Sequence, residues 1–508
     1  MQLFTDNASK PNKLFYGLFF ACFFLLYAAT AQRGVSWQDS GEFQYRVLVH
    51  DYFWISGIAR AHPCYIAGAE LFSSLFPASC RFYALNLFSG LGMALALLLL
   101  ARLLFQLQLK TSTVIVAGLT LGLSHMAWWM STIAEVYTWS IALLMAEVLC
   151  LLNVCSLKDD SALTHSKAWV ALALINGVHV SLHNFAFLNL PVYTILFVCL
   201  HAKKGFLQAA YTLFISACFW LIGSCLLMIL FQIEWTTTQS FVETLKSLLF
   251  GHEYRDVVVG TRSINWPLAK MNLALASISL LNPAWLLTCF AGRARAQDAY
   301  FKMALLGLTV IHLLFWIRYF VPDQATFILP SLALLAVWVG IGLDSLMLQR
   351  KHLIALCSAI IISSIATPLL LDKTLKTQHG MVKRMRELPF RNETSYWLFP
   401  WKHHEQSAAR FVKQVCAVLK TGDVLIADNT VAGPVLAAQV AGLLSSNIRI
   451  IAFSTDATAE EVSRLIKADT RVYIVSPVAG YASSALLTGR FTFEKEDILY
   501  RIRSVRHE

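Results

Sequence analysis

The chain has 508 residues, of which 57% are hydrophobic and only 14% are charged, whereas about 25% of the residues in a typical soluble domain are charged. Repeated apolar runs approach the roughly 20 residues that span a bilayer, so the composition excludes an ordinary soluble protein and predicts a polytopic membrane protein. The net charge of +11 does not indicate nucleic-acid binding, because the basic residues lie in short clusters between apolar runs and form no single stripe.

Eleven apolar segments are predicted to be membrane-spanning helices. They cover residues 14–32, 83–107, 112–130, 138–156, 168–183, 185–201, 208–232, 271–291, 302–321, 325–347 and 353–371. Six clusters of basic residues fall on one side when these helices alternate in direction, and that side is assigned to the cytoplasm. The clusters are Lys10/Lys13, Arg102/Lys110, Lys158/Lys167, Lys203/Lys204, Arg293/Arg295/Lys302 and Arg350/Lys351. A bacterial inner membrane and an endoplasmic reticulum membrane both fit this orientation.

The first loop on the opposite side, residues 33–82, carries two acids directly after the first span. Asp39 and Glu42 stand three residues apart in SWQDSGEFQYR, and carboxylates close to lipid are costly and commonly functional. If the segment is helical, this spacing lets both side chains face one cavity, where a carboxylate can act as a general base. The plain alternative is that the two acids mark a water-facing helix end.

The rest of this loop is predicted to form two short helices at the membrane surface. Residues 43–58 and 64–76 mix aromatic with polar side chains over lengths too short to span. His62 precedes Pro63, which disfavours helical geometry at the residue before it, so this pair is predicted to end the first surface helix. By itself the pair indicates only a turn.

Two further segments place polar side chains at the outer ends of spans. In WWMSTIAEVYTW, Glu135 is a second acid on the same side as Asp39, and Tyr137 follows it. The neighbouring tryptophans are typical of an interfacial belt. In GVHVSLHNF, His179 and His183 have the i, i+4 spacing of metal ligands, but they also suit hydrogen bonding in a polar cavity, and no metal is predicted.

Asn184 follows His183 and is placed to orient a substrate hydroxyl group.

In WIRYFVPDQATFILP, Arg318 ends a span, and its planar guanidinium suits binding of a phosphate. The alternative for Arg318 is an arginine that snorkels to the lipid headgroups. Asp323 and Gln324 come next, in a turn after Pro322.

Beyond residue 371 short strands alternate with helices. Strands are predicted at 423–428, 448–453, 471–476 and 498–503, with helices at 431–444 and 457–468. This alternation predicts a small parallel α/β domain on the outer side, without a glycine-rich nucleotide motif. The chain therefore divides into a transmembrane domain, residues 1–371, and a soluble accessory domain, residues 372–508.

Several motifs occur in an order that resembles the protein O-mannosyltransferase-like family of the glycosyltransferase-C (GT-C) superfamily. They are DSGEF, AHPCY, NLFSG, IAEVYTW, GVHVSLHN and VPDQATFILP. The resemblance implies a polytopic GT-C-like enzyme that moves a sugar, mannose or a similar hexose, from a polyprenyl-phosphate carrier in the membrane to a protein Ser/Thr hydroxyl or a glycan on the non-cytoplasmic side. AHPCY departs from the family, which more often has a second proline or glycine there.

The resemblance also implies roles for individual residues. The signature acid of the superfamily matches Asp39, which would accept the proton of the acceptor hydroxyl, while Glu42 and Glu135 position the acceptor or the sugar. Arg318 would stabilise the departing lipid phosphate. Single displacement at the anomeric carbon inverts its configuration, and no cofactor or metal is expected for a phosphate leaving group.

Two other function classes fit a polytopic chain. A transporter or lipid flippase is less favoured, because such proteins have paired repeats and ionisable groups near the bilayer midplane, whereas the acids here gather at helix ends. A non-catalytic receptor with a partner-binding tail is the second alternative.

Overall fold

The computed structural model describes residues 13–157, 161–202, 205–252, 266–293, 298–321, 323–376, 388–452 and 458–504. Up to residue 376 the described elements are helical. The α-helices are α1 (Lys13–Thr30), α2 (Gln38–Leu48), α3 (Pro63–Ser74), α4 (Arg81–Gln106), α5 (Thr111–Gly122), α6 (His125–Met130), α7 (Tyr137–Ser156), α8 (Ala162–Leu182), α9 (Leu190–His201), α10 (Phe206–Gly223), α11 (Cys225–Thr238), α12 (Phe241–Phe250), α13 (Trp266–Leu280), α14 (Ala299–Arg318), α15 (Leu329–Asp344) and α16 (Arg350–Lys376).

Eight helices of the described chain are long and apolar enough to cross a membrane, and a pair bent by 78° within 269–292 makes a ninth. The predicted integral, multi-pass architecture is therefore confirmed. The remaining predicted segments, 112–130 and 168–183, also coincide with helices, namely α5 with α6 and α8. Of the basic residues used for orientation, Lys10, Lys158, Lys203, Lys204 and Arg295 lie outside the described residues.

The spanning helices divide into a central group, which other helices surround, and a peripheral group, which is mostly exposed. Helix α4 and the span ending at Asp344 are largely buried, whereas α1, α10 and α16 bury less than a fifth of their residues. Apolar side chains around the whole circumference are what a helix needs when part of its surface meets lipid. The central helices thus form the scaffold that holds the outer loops in place.

The first outer loop contains two helices, but with other bounds than predicted. Helix α2 begins at Gln38 and ends at Leu48. Two residues later, His50 takes a left-handed conformation (φ 58°). His62 is also left-handed (φ 49°), and Pro63 is the first residue of α3. The prediction that His62 and Pro63 end the first surface helix is wrong, because proline fits the first turn of a helix, where its missing N–H is not needed.

The C-terminal part contains a mixed sheet with strand order β2-β1-β3-β5-β4. The strands are β1 (Val424–Ala427), β2 (Arg449–Ala452), β3 (Val472–Ile474), β4 (Phe491–Glu496) and β5 (Leu499–Ser504). Strand β1 pairs in parallel with β2 and β3, but β5 is antiparallel to both β3 and β4. The wholly parallel prediction fails because a tight turn at Asp497 (φ 59°) joins β4 and β5 into a hairpin.

The described residues of this part also form four α-helices: α17 (Glu393–Leu398), α18 (Ser407–Val418), α19 (Asn429–Val440) and α20 (Ala459–Lys467). Helix α19 lies directly on α2. A Cβ atom at Gly433 would lie 2.5 Å from the Glu42 nitrogen, and one at Gly41 would lie 2.8 Å from Pro434 Cδ. Trp37 Nε1 also donates to Ser407 Oγ at 2.7 Å. The C-terminal part therefore supports the helix that carries Asp39 and Glu42 from behind.

Candidate active site

A cavity of about 350 Å³ lies where α2, α7, α12 and α14 meet the outer loops. One part of its wall is polar and carries Asp39, Glu42, Arg60, Glu135 and Asp323. The other lining residues are mainly apolar and aromatic and include Phe185, Phe187, Leu188, Leu249, Phe250, Phe315, Tyr319, Val321 and Phe327. Such a mixture of an apolar lining and a few convergent polar groups is typical of a small-molecule site.

Asp39 and Glu42 face the cavity from the first turns of α2, and Arg60 faces both of them. Arg60 Nη2 lies 3.9 Å from Asp39 Oδ1 and 3.4 Å from Glu42 Oε2. The side chain of Asp39 is half-exposed, whereas that of Glu42 is buried. Among the described lining residues, Arg60 supplies the one guanidinium. Sequence reasoning missed it, although it stands two residues before His62 in the same loop.

Buried Arg46 fixes the loop that presents Arg60. Arg46 Nη1 donates to the Arg60 carbonyl at 3.1 Å, and Nη2 donates to the Ala61 carbonyl at 2.5 Å. Its guanidinium also lies 3.7 Å from Glu42 Oε1. Charge-assisted hydrogen bonds of this kind are stronger than neutral ones, so Arg46 couples α2 to the loop and sets the position of Arg60.

Glu135 and Asp323 are the other two acidic residues that line the cavity, beside Asp39 and Glu42. Ser40 Oγ donates to Glu135 Oε1 at 2.8 Å, and Tyr137 Oη donates to Asp323 Oδ2 at 3.1 Å. Burial raises the pKa of Glu135 well above its ordinary value, and the charge of Asp39 raises it further. The same two causes, in the same order, raise the pKa of Asp323 to about 6. Glu135 is thus disposed to hold a proton and to donate a hydrogen bond.

Two histidines, His62 and His183, also line the cavity. His62 Nδ1 lies 2.9 Å from the Leu182 carbonyl oxygen, and the Phe185 N–H donates to His183 Nδ1 at 3.1 Å. The ring centroids of the two histidines are 4.9 Å apart. Burial lowers the pKa of His62 to about 3, with a smaller effect from Arg46. Asn184, next to His183, also lines the cavity.

Three residues predicted for the site, His179, Arg318 and Gln324, do not line this cavity. Helix α8 ends at Leu182 and His183 is extended (φ −154°), so the i, i+4 spacing does not bring His179 and His183 onto one helix face. Arg318 is exposed at the end of α14, 5.9 Å from the Phe320 ring. Gln324 is buried and donates to the Trp316 carbonyl at 2.8 Å.

His179 belongs instead to a buried polar network around Glu147, a residue that sequence reasoning missed inside an apolar helix. His179 Nδ1 lies 2.6 Å from Glu147 Oε1, and Tyr193 Oη donates to Oε2 at 2.5 Å. Asn189 donates to the same oxygen at 2.8 Å, and His312 Nε2 lies 2.9 Å from Asn189 Oδ1. The network ties α7, α8, α9 and α14 together.

Replacing Glu147 with Ala is expected to lower the free energy of unfolding by roughly 2–4 kcal/mol, because it leaves several buried donors without their acceptor. The measurement is the thermal unfolding midpoint of detergent-purified protein. Glu243→Ala, at an exposed acid on α12, is the control and should keep the wild-type midpoint. An unchanged midpoint for Glu147→Ala would mean that the network contributes nothing to stability.

No protein-family model matches the chain, and no curated protein sequence matches it. Among solved structures, it is similar to ArnT from Cupriavidus metallidurans bound to undecaprenyl phosphate, with a TM-score of 0.61 and 11% identity over 98% of this chain and 99% of that one. ArnT from the same organism in the apo state gives a TM-score of 0.60 and 12% identity over 96% of this chain and 97% of that one. At this identity the likeness concerns the fold, which is the GT-C-like membrane fold predicted from the sequence.

Proposed function

We propose that the protein is a membrane glycosyltransferase that moves a sugar from a polyprenyl-phosphate carrier to a hydroxyl group on the non-cytoplasmic side. The observation that carries this proposal is a cavity whose described lining combines carboxyl groups and one guanidinium with many aromatic side chains. A lipid-linked sugar likewise combines a polar head with an apolar tail. The shared fold with ArnT, whose structure holds undecaprenyl phosphate, supports a carrier of that class.

In this reaction Asp39 takes the proton of the acceptor hydroxyl as its oxygen attacks the anomeric carbon. The bond from that carbon to the phosphate oxygen breaks, and the electron pair leaves with the carrier phosphate. Attack and departure on opposite faces of one sugar invert the anomeric centre. Glu42 and Glu135 position the reacting hydroxyl and the sugar, and no metal is required in this scheme.

We assign the carrier phosphate to Arg60 in place of Arg318. Arg60 lines the cavity, whereas Arg318 is exposed outside it. Because the base and the departing phosphate lie on opposite faces of the sugar, Arg60 exchanges its 3.9 Å contact with Asp39 for the phosphate when the donor binds. There the guanidinium stabilises the negative charge that develops on the leaving phosphate. The donor sugar that we propose is mannose or a similar hexose, and the acceptor is a protein Ser/Thr hydroxyl or a glycan.

The test uses the full chain in liposomes, with undecaprenyl phosphate linked to mannose, glucose or galactose as donors and a Ser/Thr-rich peptide or a glycan as acceptors. We expect a sugar-bearing product by mass spectrometry and one equivalent of released undecaprenyl phosphate. Movement of the lipid-linked sugar between leaflets without a covalent product would contradict the proposal and favour a flippase. Binding of none of these lipids would contradict both.

A further inference from the structure

The ring nitrogens of His62 and His183 differ in which of them can donate and which can accept a hydrogen bond. A carbonyl oxygen accepts hydrogen bonds and cannot donate, so the contact of His62 Nδ1 with the Leu182 carbonyl at 2.9 Å requires a hydrogen on Nδ1. The Phe185 N–H donates, so the 3.1 Å contact requires a lone pair on His183 Nδ1. The two backbone partners thus impose opposite tautomers on the two rings.

Each tautomer leaves a defined group at Nε2. His183 must be neutral, because an imidazolium has a hydrogen on both nitrogens, and its remaining hydrogen is therefore on Nε2. His62 is neutral because it is buried and close to the guanidinium of Arg46, and its Nε2 has a lone pair. Both residues line the cavity, and within the described chain no protein hydrogen bond involves either Nε2 atom.

We propose that His62 and His183 together form a subsite for adjacent hydroxyl groups of an uncharged sugar ring. One hydroxyl donates to His62 Nε2, and its neighbour accepts from the Nε2–H of His183. The ring centroids are 4.9 Å apart, so one small ligand can contact both rings. This subsite rests on the proposed function, since it assigns these hydroxyl groups to the sugar of the lipid-linked donor.

The surroundings favour a neutral group here. Phe43 and Phe185 flank the pair, with ring centroids 5.8 Å from His62 and 3.9 Å from His183. Neither imidazole has a charge that would attract a phosphate or a carboxylate. The charged group of the ligand, its phosphate, has its partner in Arg60, so the histidine pair remains to bind hydroxyl groups.

Asparagine variants separate this role from a structural one. In His62→Asn the amide N–H can still donate to the Leu182 carbonyl, and asparagine tolerates the left-handed conformation at this position. In His183→Asn the amide oxygen can still accept from the Phe185 N–H. Each variant keeps the δ-position bond and loses the group at Nε2. His252→Asn, at an exposed histidine outside the cavity, is the control.

The experiment measures binding of undecaprenyl phosphate alone and of undecaprenyl-phosphate-linked mannose, glucose and galactose, together with KM and kcat for any donor that reacts. We expect His62→Asn and His183→Asn to bind bare undecaprenyl phosphate like the wild type. Affinity for the preferred sugar-linked lipid should fall by about threefold to tenfold in each, as the loss of one neutral hydrogen bond predicts. KM should rise more than kcat falls, and the control should show neither change.

The outcomes separate this subsite from the proposed function. If the wild type binds a sugar-linked lipid more tightly than the bare carrier and both variants keep that difference, the histidine subsite is refuted while the transferase proposal stands. Equal weakening of bare and sugar-linked lipid would also refute it, since the variants would then act on the whole cavity. If the wild type binds no carrier lipid, the proposed function itself fails.

Discussion

Replacing Asp39 with Asn is expected to lower kcat for sugar transfer by roughly 10²–10⁴-fold, the contribution typical of a positioned general base. Asparagine has nearly the shape of aspartate but cannot take the proton of the attacking hydroxyl. The side chain is half-exposed and lies 3.9 Å from Arg60 Nη2, so the change leaves no tightly buried partner unsatisfied. We therefore expect normal membrane insertion and an unchanged thermal unfolding midpoint.

Glu70→Gln is the matched control for this experiment. Glu70 is an acid of the same outer segment that accepts from Tyr52 Oη at 2.6 Å and does not line the cavity. Its substitution should leave transfer close to the wild-type rate. Wild-type turnover in Asp39→Asn would remove Asp39 from the mechanism, and equal losses in both variants would indicate a general effect of charge in this segment.

Replacing Gly433 with Ala is expected to lower kcat by about 100-fold although Gly433 lies outside the cavity, because displacement of reacting groups by about 1 Å has effects of this size. A Cβ atom at this position would lie 2.5 Å from the Glu42 nitrogen and 2.7 Å from the Gly41 carbonyl carbon. Both are backbone atoms and cannot rotate away. Helices α2 and α19 must therefore move apart, and Asp39 and Glu42 move with α2.

Two controls separate this effect from ordinary destabilisation. Val440→Ala removes atoms from the exposed end of the same helix, and Gly17→Ala adds a methyl group in α1 where nothing lies within 4 Å. Both should keep wild-type kcat. Gly433→Ala should retain binding of undecaprenyl phosphate while turnover falls, which shows that the cavity persists. Wild-type kcat in this variant would mean that the C-terminal part does not position α2.

Hydropathy was sufficient to predict where the membrane-spanning segments of the chain lie, but not every helix of the membrane domain. Few backbone conformations can span lipid, because every backbone N–H and C=O needs a hydrogen-bond partner within the segment. All eleven predicted segments coincide with helices. The pattern could not show that α10 and α11 are separate helices, since both are apolar. It also did not show the bend within 269–292.

The positions of cavity residues were partly predictable from their place at the outer ends of spans. Asp39, Glu135 and Asp323 follow or precede apolar runs, and all three line the cavity. Arg60 was not predictable in this way, because it lies in the middle of an irregular loop whose path depends on hydrogen bonds from distant Arg46. Arg318 is at the end of a span, but its side chain lies outside the cavity.

The hydrogen-bond partners of polar groups in apolar helices are the hardest feature to predict from such a sequence. Glu147 is one acid among many apolar residues of α7, and nothing nearby in the sequence indicates His179 or Tyr193 as its partners. The contact between α2 and α19 is equally hard to predict from the sequence, since Gly41 and Gly433 are almost 400 residues apart. Both features depend on tertiary contacts that no local pattern encodes.

The polar network around Glu147 also has a consequence for how the chain is made. Tyr193 follows Glu147 by 46 residues, and His312 follows its partner Asn189 by 123 residues. At roughly 5–20 residues per second during translation, Tyr193 emerges on the order of five seconds after Glu147. A nascent α7 released into lipid at once would carry an unmatched carboxyl group. We therefore expect the insertion machinery to retain α7 and α8 until α9, which carries Tyr193, has been synthesised.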